Sequence, residues 1–195
     1  PSNTAVIQTA YLIPNGPMLG NLQGLSQSGV DIRILTNSAA STNHGSVHAY
    51  YAKYRQQLLT ANIELYEVKG TGSLAAYLDR VGEDAHAGLH TKAMVVDDRL
   101  SVIGSYNMDP RSRVWNSEIA LVVEDAGFAA SVLQEMERDF SPEAAWRLSL
   151  DEKDSLVWTG ESEGEAEQFS RDPGSSWWDR LLWRIIRILP LENEL

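Results

Sequence analysis

The first half of the chain alternates apolar, strand-like segments with longer segments of helical periodicity, and this alternation limits the possible folds most strongly. Strands are predicted at Ala5–Ile13, Val30–Thr36 and Ile63–Val68, which are rich in apolar and β-branched residues. Between them, Met18–Ser28 and Ser46–Thr60 have the spacing of helices. Because strands separated by helices of this length usually join one sheet, the sequence predicts an α/β fold with a layered sheet flanked by helices.

The second half continues this pattern with a hairpin and one further strand and helix. Ala93–Val96 and Leu100–Gly104 are predicted to pair around a turn at Asp97–Arg99. A strand is expected at Ile119–Val123, and a helix at Phe128–Phe140. We assign residues 1–158 to this α/β domain and residues 159–176, which are rich in Gly, Ser and Glu, to a polar surface loop. Residues 177–195 form an amphipathic helix and tail.

Charge and composition exclude several classes of protein. The 195 residues carry a net charge of −11, and residues 124–172 account for −10 of it, with 14 acidic and 4 basic side chains. A chain this acidic is unlike a general nucleic-acid binder, which usually has a basic surface. The absence of cysteine excludes a disulfide scaffold, a cysteine nucleophile and a cysteine-ligated metal. No apolar run approaches the ~20 residues that span a bilayer.

The tail from Trp177 to Leu189 is strongly amphipathic, and Pro190 is expected to stop its helix. Arg180, Arg184 and Arg187 lie on one side of the predicted helix. The opposite side is apolar and consists of Trp178, Leu181, Leu182, Ile185, Ile186 and Leu189. Trp and Arg on such a helix suit a membrane interface. The alternative is a terminal helix that docks on its own domain and leaves its arginines solvated.

The stretch from His90 to Glu118 contains the residues best suited to chemistry on an anion. His90 and Lys92 share a face if the chain is extended, because alternate residues of a strand point the same way. An ammonium can hold a phosphate while an imidazole attacks phosphorus or transfers a proton. Ser105 and Asn107 are spaced in the same way, and their side chains can hydrogen-bond phosphate oxygens.

The spacing of these residues resembles the HKD signature of the phospholipase D superfamily, HxKxxxxD followed by GSxN. His90, Lys92 and Asp97 match its first part, and Gly104-Ser105 with Asn107 matches its second. Much of the remaining chain is similar to the C-terminal half of bacterial C-type cardiolipin synthases. The segments that carry this similarity are Leu35–Ser38, Val47–Ala49, Tyr51–Arg55, Leu58–Leu59, Leu65–Glu67, Met108–Ser112, Asn116–Glu118 and Leu189–Glu192.

The resemblance implies a phospholipase D-like layered sheet with one HKD half-domain, and it implies roles for the motif residues. His90 would be a catalytic imidazole, with the acid/base role, and Lys92, Ser105 and Asn107 would bind phosphate. Asp97 belongs to the catalytic motif, although in the superfamily this aspartate often supports the strand. Glu118 would hydrogen-bond a catalytic His; the alternative for Glu118 is a solvated strand residue.

Three further residues in resembling segments, Asn37, His48 and Arg55, are candidates for a headgroup pocket, with structural pairing as the alternative. We expect His86 to be a loop residue. His86 and His90 could share a metal on a helix, but Gly88 between them weakens a helix there. We therefore predict no metal site and no cofactor, and the superfamily chemistry requires none.

The resemblance also implies a need for a second half. Members of the superfamily use two HKD motifs, from two halves of one chain or from two subunits, and this sequence has one. Because the sequence also lacks an initial Met, we expect it to be the second half of a longer protein and inactive when isolated.

The expected activity is phosphatidyl transfer through phosphohistidine, giving cardiolipin. The expected partners are phospholipids at an anionic membrane surface and the other HKD half or a second subunit, with no nucleic acid. The expected location is peripheral on the bacterial inner membrane. Two alternatives are a homodimeric phosphodiesterase or nuclease and a non-catalytic half-domain.

Overall fold

A computed structural model describes residues 3–70 and 88–194, so the predicted role of His86 lies outside the described residues. The strands are β1 (Thr4–Thr9), β2 (Asp31–Asn37), β3 (Glu64–Val68), β4 (Lys92–Val96), β5 (Leu100–Gly104), β6 (Ala120–Glu124), β7 (Ala145–Leu150), β8 (Leu156–Ser162) and β9 (Glu165–Phe169). The helices are α1 (Pro17–Gln27), α2 (Gly45–Tyr51), α3 (Arg55–Thr60), α4 (Pro110–Val114), α5 (Ala126–Asp139) and α6 (Trp177–Ile186), followed by a 3₁₀ turn at Glu192–Glu194.

The strands form one mixed sheet in the order β6-β5-β4-β1-β2-β3-β7-β8-β9. The strands β1, β2 and β3 run parallel at its centre, and every other neighbouring pair is antiparallel. This arrangement confirms the predicted α/β fold with a layered sheet. We call the edge of the sheet at the carboxyl ends of β1, β2 and β3 the carboxyl edge.

Helices cover both faces of the sheet. On the first face, Leu22 of α1 and Leu58 of α3 pack against Ile7, Ile34 and Leu65. On the second face, α5 packs through its buried residues against the opposite side of the central strands, with Ala129, Met136 and Phe140 meeting Val6, Leu35 and Val95. Burial of central strands on both faces explains why their sequences are nearly continuous apolar runs.

The predicted helix at Ser46–Thr60 is in fact two helices. It breaks after Tyr51, where the Lys53 and Tyr54 backbone amides donate to carbonyls three residues back, to Tyr50 and Tyr51. Bonds of this kind belong to the 3₁₀ pattern, which interrupts the α-helix between α2 and α3. Periodicity alone does not show this break, because apolar residues continue on both sides of it.

The predicted polar loop at residues 159–176 is wrong for most of its length. Its first part completes β8 and forms β9, joined by a turn at Glu163-Gly164, and both turn residues have positive φ, of 53° and 80°. Positive φ at both positions is the geometry of a tight hairpin turn. The hairpin belongs to the same sheet, so the sheet continues past residue 158, where the sequence placed the end of the α/β domain. The strand β7 was missed as well.

The remainder of that segment carries Asp172 into a buried ionic cluster. Arg55, whose side chain is 1% exposed, donates to both carboxylate oxygens of Asp172, at 2.7 and 3.0 Å. Arg55 also donates to Glu67 at 2.7 Å, and Glu67 accepts from Trp158 at 2.9 Å. The His48 ring nitrogen Nε2 lies 3.2 Å from Asp172. The cluster therefore ties α2, α3 and β3 to the chain that leads into α6.

We predict that Asp172→Ala lowers the free energy of unfolding by about 3 kcal/mol at pH 7, because it leaves the Arg55 guanidinium buried with one partner fewer. Urea denaturation measures the change. Glu165→Ala, at an exposed position of β9, is the matched control and should change the free energy by less than about 0.5 kcal/mol.

The same variant should show a defined pH dependence. Burial alone would raise the pKa of Asp172, but Arg55 and His48 outweigh it and hold that pKa well below its usual value. A depressed folded-state pKa stabilises the protein above the ordinary aspartate pKa of about 3.9 and loses this effect as pH falls. The difference between the native chain and Asp172→Ala should therefore shrink below about pH 4. A difference that stays constant between pH 3 and pH 7 would contradict the ionic cluster.

Candidate functional site

Strand register brings both parts of the signature to the carboxyl edge. Lys92, the first residue of β4, pairs with Thr9, the last residue of β1. Because β5 runs antiparallel to β4, its last residue, Gly104, returns to the same edge, where it pairs with Ala120 of β6. The His90, Lys92, Ser105, Asn107 and Glu118 side chains therefore start from one edge of the sheet.

Asp97 lies at the other end of β4. The structure therefore corrects its predicted place among the catalytic residues. Asp97 follows the last residue of β4 and lies about 16 Å from Lys92 along the strand, at about 3.3 Å per residue. Its carboxylate accepts from the Thr4 backbone amide at 3.0 Å. Asp97 thus connects the β4–β5 turn to the start of β1, which is the supporting role that the superfamily resemblance also allowed.

Asn37 positions the residue before His90. Its side-chain amide donates to the carbonyls of Ala10 and Leu89, both at 2.9 Å, and its Oδ1 accepts from the Leu89 amide at 2.8 Å. These bonds fix the backbone next to His90, while His90 itself is exposed at the edge. Asn37 is 6% exposed and both its side-chain polar atoms are bonded, which favours structural pairing, the alternative to a place in a headgroup pocket.

Lys92 lies two residues from His90 at the carboxyl edge. Its Nζ donates to the His90 carbonyl at 2.8 Å. Burial lowers the pKa of Lys92 below its ordinary value, and the carboxylates of Glu118 and Asp109 offset part of this effect. A partly desolvated cation interacts with an anion more strongly than a fully solvated one does.

Glu118 is held by hydrogen bonds from neighbouring side chains. The Ser105 hydroxyl donates to its Oε2, and the Asn116 amide donates to its Oε1 at 3.1 Å. The hydrogen bonds from Ser105 and Ser112, with the nearby Lys92 charge, lower the pKa of Glu118 and keep it ionised at neutral pH. The Ser105 hydroxyl proton is therefore directed to Glu118, a role that the sequence did not predict for it.

Gly104 is required by the close approach of β6. A Cβ at this position would lie 2.1 Å from the Ile119 carbonyl oxygen and 2.9 Å from the Ala120 Cα. Both contacts are far inside normal packing distance, so a side chain would push β6 away. The glycine of the GSxN segment thus lets Glu118, at the entry to β6, reach Ser105.

Asn107 is buried at the carboxyl edge, and one of its side-chain atoms forms no hydrogen bond within the described residues. It is 8% exposed, and its Oδ1 has no partner among the described residues. A buried polar atom without a partner is unfavourable, so such an atom at a site edge indicates a place for a ligand. Oδ1 can accept from a cation or imidazolium, and a half-turn of the amide would offer Nδ2 to a phosphate oxygen.

Three residues to which the sequence assigned no individual role fix the GSxN segment. Thr9 accepts from the Met108 amide at 3.1 Å, and Ser112 accepts from the Asn107 amide at 3.2 Å. Asp109 caps α4 by accepting from the Ser112 amide at 2.6 Å. An Asp followed by Pro at the first helical position is an N-terminal signal, so the Asp109–Pro110 pair could have predicted α4.

His48 and Arg55 both contact Asp172, which favours structural pairing, the alternative to a place in a headgroup pocket. Both are almost fully buried and are engaged by Asp172, as described above. The Arg55 guanidinium and the His48 Nε2 atom are used within the fold, while His48 Nδ1 has no partner among the described residues. Among residues 3–70 and 88–194, no group of three or more His, Asp or Glu side chains is arranged to hold a metal ion.

An apolar groove of about 530 Å³ opens on the first face beside Lys92, between α1 and strands β4 and β5. Tyr106 and Lys92 are among its polar lining residues. Neighbouring β6 leaves Leu121 and Val122 each 60% exposed. The apolar residues that line the groove include Ile7, Leu22, Leu25, Met94, Val102 and Met108.

Comparison with known proteins agrees with this geometry. The family model described as cardiolipin synthase, PLD-like domain, matches residues 2–140. Cardiolipin synthase C of Escherichia coli (strain K12) is 34% identical over 194 residues, which are 98% of this chain and 41% of that protein. Cardiolipin synthase A of Cronobacter sakazakii is 31% identical over 138 residues, covering 69% of this chain and 24% of that protein.

Solved structures show the same fold at low sequence identity. The phospholipase D family member Nuc from Salmonella typhimurium superposes with a TM-score of 0.55 at 16% identity, covering 75% of this chain and 82% of that one. NucT from Helicobacter pylori gives 0.56 at 13% identity, covering 73% and 80%. The chain spans about two fifths of the length of the Escherichia coli relative. With a family match over residues 2–140, this chain belongs to the phospholipase D-like cardiolipin synthase family.

Proposed function

We propose that this chain supplies one half of an active site that transfers a phosphatidyl group between hydroxyls, as in cardiolipin synthesis. The observation that supports the proposal is the carboxyl edge, where strand register places Lys92 and Gly104 at the same end of the sheet, next in sequence to His90 and Asn107 of the signature and to Glu118. An exposed imidazole, a partly desolvated ammonium and an ionised carboxylate are the groups that phosphoryl transfer needs.

The proposed reaction has two steps and needs two imidazoles. In the first, one imidazole nitrogen attacks phosphorus and forms an N–P bond, the P–O bond to the leaving alcohol breaks, and a protonated second imidazole gives its proton to that oxygen. In the second, the acceptor hydroxyl gives its proton to the second imidazole, its oxygen attacks phosphorus, and the N–P bond breaks. His90 takes the role of the second imidazole.

The neighbours of His90 fit these steps. The Lys92 ammonium would offset the negative charge of the phosphodiester, and Asn107 would hydrogen-bond one of its oxygens. Glu118, kept ionised by its hydrogen bonds, would accept from a catalytic imidazole, which selects the tautomer and stabilises the imidazolium.

A second half is part of the proposal because the nucleophilic imidazole must come from elsewhere. Of the described histidines, His48 is buried in the ionic cluster and His44 packs edge-on against Tyr11, at 5.5 Å between ring centroids. The groove beside Lys92 and the exposed face of β6 offer apolar surface that a second HKD half would cover. We further propose that the protein's substrates are phospholipids and that it acts peripherally at the bacterial inner membrane.

The central prediction concerns cells in which the gene for this protein is the only source of cardiolipin. His90→Ala should reduce cardiolipin by at least about a hundredfold, because it removes an acid/base catalyst. Asp97→Asn, within the same signature, keeps the oxygen that accepts from Thr4 and should leave cardiolipin within about twofold. Lipid extraction and mass spectrometry measure both. Normal cardiolipin in the His90→Ala strain would overturn the proposal.

A second prediction separates the half-site from a homodimeric enzyme. The purified 195-residue chain should transfer no phosphatidyl group above background on phosphatidylglycerol vesicles, because it lacks the second HKD motif. Analytical ultracentrifugation should show no stable dimer. An assay on a soluble phosphodiester should show no hydrolysis by the purified chain. A twofold dimer that hydrolyses a phosphodiester, and loses this activity in His90→Ala, would favour the homodimeric phosphodiesterase instead.

A further inference from the structure

The helix α6 is firmly attached to the rest of the fold. The Trp183 ring packs on the His48 ring with 4.6 Å between centroids, and Ile186 packs against Ile13 and Val47. The Tyr50 hydroxyl hydrogen-bonds the Ile186 and Leu189 carbonyls, at 2.9 and 2.6 Å. A capping box at Ser176 and Asp179 fixes the start of the helix. The orientation of α6 is therefore set by specific contacts.

This attachment turns the broad apolar face of α6 away from the protein. The helix docks through Trp183 and Ile186 and has no fully buried residue. The exposed apolar side chains, with their exposed fractions, are Trp178 (62%), Leu181 (42%), Leu182 (53%), Ile185 (54%), Ile188 (80%) and Leu189 (46%). A helix on a soluble surface normally shows the opposite arrangement, with its apolar stripe against the core. A contiguous exposed apolar face of this kind indicates a binding surface.

The chemistry of this face favours a phospholipid surface over a protein partner. Trp177 and Trp178 stack at one end of it, with 3.7 Å between ring centroids, and both are more than half exposed. Tryptophan and arginine on one amphipathic helix suit the boundary between headgroups and acyl chains. Arg184 is exposed on α6, and the one acidic residue of the helix, Asp179, is used in the capping box. The exposed side of the helix therefore carries one cation, Arg184, while Arg180 and Arg187 are half-buried.

The helix also lies close to the carboxyl edge. Gly174, just before α6, packs so tightly on the loop after Asn37 that an added Cβ would lie 2.7 Å from the Ala40 Cβ. That loop continues from the same Asn37 that fixes the backbone next to His90. On the other side, the 3₁₀ turn after α6 contacts α4, and its Glu192 pairs with Lys53 at 2.7 Å. The part of the chain that the structure describes contains no helix that could span a membrane.

We propose that α6 is an interfacial helix that inserts its Trp178–Leu182–Ile185 face into an anionic phospholipid surface and thereby holds the carboxyl edge, with His90, at that surface. The biological meaning of this contact rests on the proposed function, because phospholipids would then be the substrates. Binding itself depends only on α6, so it can be tested without catalysis.

The test is co-sedimentation with large vesicles of phosphatidylglycerol and phosphatidylethanolamine. The double variant Leu182→Asp/Ile185→Asp should lower the vesicle partition coefficient by at least about tenfold. The reason is that charges replace two aliphatic side chains that would be buried in the lipid. In the 195-residue chain, where no second half covers β6, Leu121→Asp is the matched control and should bind as the native chain does. Thermal melting of each variant shows whether the fold is retained.

Two further arms make the outcome decisive. The His90→Ala variant should bind vesicles normally, so a loss of catalysis is distinguishable from a loss of membrane binding. Vesicle binding is measured for both the 195-residue chain and the natural gene product. If a second half covered α6, only the isolated chain would bind vesicles. Equal partition of the native chain and the folded double variant, or no binding by the natural gene product, would overturn the proposal.

Discussion

The antiparallel pairing of β1 with β4 is the constraint on which the rest of the site depends. It joins segments far apart in sequence and aligns Thr9 with Lys92 and Ala5 with Val96. This register places Lys92 at the carboxyl edge and Asp97 at the opposite end of the strand. A shift by one residue would reverse the direction of every β4 side chain, which would move Lys92 away from Glu118.

Hydrogen bonds from buried polar residues then convert this edge into a defined site. Asn37 holds the backbone at Leu89, Thr9 holds Met108, and Ser105 holds Glu118. Each bond lies next to a residue with a proposed chemical role, so those roles rest on fixed backbone positions. The site keeps a cation and an anion close together, and the exposed His90 is beside them.

The sequence was sufficient for the central sheet and for the identity of the motif residues, because both depend on local patterns. The strands β1, β2 and β3 are continuous apolar segments, and the HKD spacing is unusual enough to be recognised. The sequence could not show that Arg55 and His48 are engaged by Asp172, because that contact joins residues more than 100 positions apart. It also missed the β8–β9 hairpin, because this pair at the end of the sheet is mostly polar and exposed. The sequence also could not predict the orientation of α6. Periodicity identifies the apolar face of a helix but does not show whether that face contacts the rest of the protein.

The most direct test of the account is where a phosphodiester binds. A ¹H–¹⁵N NMR titration of the chain with glycerophosphoglycerol, a water-soluble phosphodiester, would locate this contact. The account predicts saturable shifts of the Lys92, Ser105 and Asn107 amide resonances and none at Arg55 or Asp172. Shifts centred on Arg55, or no shifts at the carboxyl edge at saturating ligand, would contradict it.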